Sequence, residues 1–136
     1  MITDPTSEVH KPKTLDDKHR AELHASGLTD ETIEQSGIYS AENGEVSRLL
    51  GWVPGVYVWN GAMVFPYLQA DGYARIKPDW PRTGEDGKAR KYEAPIKQPN
   101  RAYFGIQSAP TAGTILVITE GEKKTLCVQQ CGIACI

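Results

Sequence analysis

Residues 114–136 read Thr-Ile-Leu-Val-Ile-Thr-Glu-Gly-Glu-Lys-Lys-Thr-Leu-Cys-Val-Gln-Gln-Cys-Gly-Ile-Ala-Cys-Ile. A β-branched apolar run ends on Glu120-Gly121, a helical stretch follows, and a second apolar run opens at Ile133. That order is a β-α-β unit, whose parallel strands need a crossover helix between them. It predicts a buried strand over Ile115–Ile118. Open α/β sheets gather their chemistry at the carboxyl ends of such strands, so Glu120 is the first candidate for a reactive group. Gly121 lets the backbone turn sharply into the helix. A carboxylate in that turn can hold a divalent cation or act as a base toward a hydroxyl. The plainer reading is an acid satisfied by N–H groups at a helix N-terminus. Glu122 reads as a surface acid of the first helical turn. Lys123 and Lys124 could reach phosphates or be solvated helix lysines.

Upstream, the chain changes character twice. Residues 14–51 are helical in pattern. Thr14-Leu-Asp-Asp offers a cap and Gly27 a stop, Thr29 opens a second helix that Gly37 ends, and Ser40 caps a third that runs to Gly51. From Trp52 the pattern is that of strands: Val56-Tyr-Val-Trp, Ala62 to Leu68, and Gly72 to Lys77, with Asn60-Gly61 and Asp71-Gly72 as turn dipeptides. Pro66 belongs at an edge or bulge. In the third of these strands Tyr73, Arg75 and Lys77 alternate with Ala74 and Ile76, which predicts one cationic and one apolar face. Arg90 to Pro95 resumes extended structure after a polar loop, and Arg101-Ala-Tyr-Phe-Gly reads as a further short strand. Ser108 to Gly113 is a linker of small residues.

The net charge of −2 conceals a division. Residues 1–50 hold five Lys/Arg against ten Asp/Glu, whereas residues 75–101 hold eight Lys/Arg against four acids. A basic stretch in an acidic chain is a footprint for phosphate-bearing partners, with solvated loop charge as the plainer reading. Nothing approaches the roughly 18 apolar residues of a membrane span. Residues 1–13 are polar with two prolines, so a disordered lead-in is expected there and not a secretory signal. The expected compartment is the cytoplasm. Cys127, Cys131 and Cys135 are clustered but lack the paired spacing of a zinc site, so small buried thiols in a reducing compartment are expected.

The order Val64-Phe-Pro-Tyr, Asp71-Gly72, a basic strand through Arg75, Lys91-Tyr92, Tyr103-Phe104-Gly105 and Ile118-Thr-Glu-Gly-Glu resembles the catalytic core of bacterial-type primases. In that family a mixed β subdomain precedes a toprim fold. More closely, residues of about 20–136 resemble phage and plasmid proteins in which a domain of unknown function is fused to toprim. The shared stretches are Ser26-Gly27-Leu28 to Ser36-Gly37, Lys77-Pro-Asp-x-Pro-Arg82, Lys91-Tyr92-Glu93 and Glu120-Gly121-Glu122-Lys123-Lys124. The resemblance implies that Glu120 is the toprim glutamate, a general base or metal-site acid for nucleotidyl transfer, with Mg2+ or Mn2+ as the cofactor of the full-length relative. It implies that Arg75, Lys91 and Arg101 face template and incoming nucleotide. Lys77, Arg82 and Lys123 complete the candidate set for nucleic acid and nucleotide. Tyr73, Trp80, Tyr92 and Tyr103 interleave with these bases and would suit stacking on unpaired bases, or else pack in the core.

The chain departs from the family in one respect. Toprim enzymes also use an Asp-x-Asp pair on a later strand, and this sequence has no Asp after Asp86. The expectation is therefore the N-terminal part of a primase-like protein, binding single-stranded DNA and nucleotide weakly, holding no cation tightly and not catalytic alone. Its partners would include a helicase or other replication protein. The alternative is a shortened, non-catalytic relative that acts by protein contact, for example as an inhibitor of a host protein. The expected fold is α+β: a helical cap over residues 14–51, a mainly antiparallel β subdomain over 52–107, and the first β-α-β of a toprim-like fold over 114–136.

Overall fold

The computed structural model describes residues 12–136, so the expected disordered lead-in lies outside the described residues except for Pro12 and Lys13. The fold is α+β, four helices with a three-stranded antiparallel sheet. Helix α1 (Asp17–Ala25) starts within the expected Thr14-Leu-Asp-Asp stretch, with Asp16 at the cap position and no side-chain capping bond. Helix α2 (Asp30–Ser36) starts where Thr29 Oγ1 accepts the Thr32 N–H at 3.2 Å and ends at Gly37, whose φ of 71° is the left-handed conformation a helix stop requires. Strand β1 (Tyr39–Ala41) follows at once, then α3 (Asn43–Leu50), which Gly51 ends in the same way at φ 73°. Ser40 therefore lies in β1 and Glu42 takes the cap position of α3, a correction to the sequence expectation. Strands β2 (Ala62–Pro66) and β3 (Ala74–Pro78) and helix α4 (Glu122–Gln130) complete the elements.

The strand order is β1-β2-β3, with Tyr39 opposite Val64 and Phe65 opposite Arg75. Pro66 sits at the end of the central strand, paired only with Ala74 because β1 does not reach past Val64. Two other expected strands do not form. Val56 and Val58 are exposed, and Asn43 Oδ1 accepts the N–H groups of Trp59 and Gly61 in place of a neighbouring strand. Residues 101–105 form no ladder either; the Gln129 side chain bonds the Phe104 carbonyl and the adjoining Ile106 N–H. Residues 90–95 are extended, with one bridge from Glu93 to Ile76.

Period-2 alternation places one hydrophobic cluster on each face of the sheet. Met63 and Phe65 meet Leu23 of α1, Ile33 of α2 and Leu126 of α4, with Tyr67, Tyr73 and Tyr103 beside them. On the opposite face Ala62, Val64, Ala74 and Ile76 meet Val46, Leu50 and Trp59. Burial of both faces explains why β2 from Ala62 to Phe65 is wholly apolar.

At the carboxyl end, Val117 and Cys135 form a parallel bridge across α4. The Val117 and Thr119 N–H groups donate to the carbonyls of Ala134 and Ile136 at 2.9 and 2.8 Å. The apolar run is not buried as expected: Ile115 is 88% exposed and Ile118 75%. Helix α4 sends Leu126 into the first cluster and covers only one side of the parallel pair, where Cys135 is buried.

Candidate nucleic-acid interface

The predicted cationic face of β3 exists, but it faces protein. Arg75 and Lys77 share their side of the sheet with Phe65 and Met63, the side covered by α1 and α4. Those helices carry the matching acids. Arg75 Nη1 donates to Glu122 Oε1 at 3.0 Å, and Tyr67 Oη donates to the same oxygen at 2.8 Å. Glu122 is 2% exposed, so the surface acid expected from its place in the first turn is corrected to a buried one. Burial and the neighbouring carboxylate together push the Tyr67 phenol up. Lys77 pairs with Glu22 of α1, and Lys123 Nζ reaches the same Glu22 oxygen at 2.9 Å. Burial opposes ionisation of Glu22, yet the bonds from Lys77 and Lys123 outweigh it and hold the carboxyl below its ordinary value.

The remaining candidates divide similarly. Arg82 is bound to the buried Glu93, with Nη2 3.2 Å from Oε2. Arg101 stacks over the ring of Tyr73, 5.4 Å from its centroid, and lines a small cavity of about 150 Å³ with Tyr67 and Phe104. Lys91 is exposed and has no acidic partner among the described residues. The Glu120 side chain is 80% exposed and pairs with Lys124 one turn on, which holds its carboxyl below the ordinary value. None of the described contacts joins Glu120 to Arg75 or Lys91.

Lys77 and Lys91 are brought together in a cleft of about 610 Å³ between α1 and the chain that leaves β3. Lys18, His19 and Glu22 form the α1 wall, and Pro78, Asp79, Trp80 and Pro81 the opposite one. Trp80 is 55% exposed, whereas Tyr73 and Tyr103 are buried in the core. Tyr92 packs on Phe65 and has Arg75 over its ring, so of the four expected stacking residues only Trp80 lines this cleft.

Sequence reasoning missed the acids that fix these cations and a third group beside the cleft. His19 is buried, with Nδ1 2.6 Å from Ser40 Oγ and Nε2 2.8 Å from Asp79 Oδ1. A hydroxyl-imidazole-carboxylate chain can serve nucleophilic catalysis. Here Ser40 Oγ already accepts the Asp16 N–H at 2.8 Å and lies outside the cleft walls, so the chain ties α1 to β1 and to the end of β3. Positions 19, 22 and 23 share one face of α1 by helical spacing, the one signal that could have found His19 and Glu22.

No group of three His, Cys, Asp or Glu among the described residues could hold a metal ion. Glu120 is engaged by Lys124, and a divalent cation there, expected only of the full-length relative, would need further carboxylate ligands. Of the three thiols only Cys135 is buried, correcting the expected set of buried cysteines; Cys131 is exposed and the Cys127 thiol donates to the Ser26 carbonyl at 2.9 Å. Among the described residues no helix is long and apolar enough to cross a membrane. No family model matches the chain, no curated protein matches it, and no solved structure matches it.

Proposed function

We propose that this chain is a single-strand nucleic-acid-binding part of a primase-like toprim protein of a phage or plasmid, and that nucleotidyl transfer requires carboxylates beyond Glu120. The observation that carries the binding reading is the cleft in which the exposed indole of Trp80 stands with Lys91, a cation without an acidic partner among the described residues. A stacking plate beside cations is the minimum that sequence-tolerant binding of an unpaired strand needs. The parallel bridge from Val117 to Cys135 across α4, with Glu120 in the turn, supports the toprim part of the reading, because that crossover is the connection such a fold begins with. Fluorescence anisotropy of a labelled oligothymidylate, with the matching duplex as control, tests it. Binding of the single strand at low ionic strength with weaker binding of the duplex is expected. No binding to the single strand at low salt contradicts it.

A second reading, a non-catalytic module that acts by protein contact on a replication or host protein, is favoured by one observation. Val53, Val56 and Val58 stand exposed along one segment, and clustered exposed apolar side chains mark contact surfaces. Under the nucleic-acid reading, Val56→Ser with Val58→Ser leaves oligonucleotide affinity unchanged.

A further inference from the structure

The cleft has three properties that narrow its ligand. First, Trp80 is exposed on a fixed backbone. Its N–H donates to the Trp59 carbonyl at 2.9 Å, the Asp79 N–H donates to Gly61 at 3.0 Å, and Tyr57 Oη donates to the Trp80 carbonyl at 3.4 Å. With the backbone fixed in the free protein, only the side-chain torsions of Trp80 remain to be ordered on stacking. Second, the cleft is nearly neutral. Lys18 is paired with Asp79 and Lys77 with Glu22, which leaves Lys91 as the one cleft cation with no acidic partner among the described residues. Third, Asn60 lines the cleft in the left-handed conformation, φ 55°, with its side-chain amide unbonded among the described residues. That conformation is ordinary for the Asn of an Asn-Gly turn, and a free amide offers both a donor and an acceptor to a base edge. The volume, about 610 Å³, is that of a pocket for one small molecule.

We infer that the cleft is a subsite for one nucleotide unit, a base stacked on Trp80 with its edge at Asn60 and a single phosphate on Lys91. It takes a nucleoside monophosphate or one residue of a strand, and further phosphates add little, because Lys18 and Lys77 are already paired with Asp79 and Glu22. The inference rests on the nucleic-acid reading only for the chemistry of the ligand.

The test is an NMR titration of the whole chain, following the indole N–H of Trp80 and the cleft amides, with AMP, ATP, adenosine, inorganic phosphate and an oligothymidylate as separate probes. AMP and the oligonucleotide shift the Trp80 indole resonance, with ATP within about threefold of AMP in affinity and inorganic phosphate alone without effect. Trp80→Leu and Lys91→Ala each weaken AMP about tenfold or more, while Lys97→Ala, an exposed lysine outside the cleft walls, changes nothing. Both positions are exposed, and circular dichroism of each variant confirms an intact fold. Oligonucleotide binding that ignores Trp80→Leu and Lys91→Ala overturns the subsite and leaves the nucleic-acid reading standing. AMP binding at Trp80 without oligonucleotide binding does the reverse. ATP more than tenfold tighter than AMP overturns the single-phosphate assignment.

Discussion

Glu122 Oε1 lies 3.0 Å from Arg75 Nη1, and this contact joins the first turn of α4 to the middle of β3. Two residues earlier, Glu120 is exposed and, among the described residues, pairs with Lys124 alone. The neighbouring acids of one turn thus have separate roles, one in the core and one at the surface.

Removing one partner of a buried ion pair strands the other, which costs more than the pair contributes. Glu122→Ala is expected to lower stability by about 3 kcal/mol, since both Arg75 and the Tyr67 hydroxyl lose their acceptor. Glu120→Ala leaves the urea midpoint unchanged. Equal midpoints for the two variants would contradict the assignment.

The pH dependence has a definite sign. Glu22 and Asp79 both sit below their ordinary values; for each, burial opposes ionisation and is outweighed, at Glu22 by Lys77 and Lys123, at Asp79 by Lys18 and His19. A depressed folded-state pKa contributes stability that is complete above the unfolded-state value and is lost as the pH falls through the folded one. The chain should therefore lose stability on acidification below the ordinary carboxylate range, and Glu22→Gln should flatten that limb. An unchanged acid limb in the variant would show that Glu22 is not among the groups responsible.

Gln129 is buried and serves three backbone groups: its Nε2 donates to Phe104 and Cys135, both at 2.8 Å, and its Oε1 accepts the Ile106 N–H at 3.0 Å. Gly105 makes this possible, because a Cβ there would fall 2.3 Å from Gln129 Oε1. Gln129→Ala leaves these groups without partners and is expected to cost roughly 2–3 kcal/mol. Faster amide exchange at Thr119 and Ile136 should accompany it, as the parallel pair loosens. Unchanged protection there would separate Gln129 from that pair.

Much of the helical scaffold was legible because glycine announces helix ends: Gly37 and Gly51 stop α2 and α3 where expected. The hairpin was legible from the apolar run of β2, the alternation of β3 and the Asp71-Gly72 turn. Strand β1 was not, since three residues carry no period and Ser40 reads equally well as a cap. The stretch 56–59 misled for the opposite reason. Its residues suit a strand, but a strand is defined by a neighbour, and here the neighbour is the Asn43 side chain. The site was read in its residue types and misread in its partners. Arg75 and Lys77 look free in sequence because Glu122 and Glu22 lie 47 and 55 positions away. Trp80 and Lys91 were legible as candidates, and only the fold shows that they share a cleft.

Arg75, Lys77, Arg82 and Lys123 are held in ion pairs within the fold, which under the proposed function leaves Trp80 and Lys91 to meet nucleic acid. The dependence of oligothymidylate affinity on salt tests this division directly. With one or two phosphates neutralised, the logarithmic slope is expected to be about −0.7 to −1.4, whereas six engaged cations would give about −4. A shallow slope that flattens further in Lys91→Ala is the predicted result, and a slope near −4 would contradict the account.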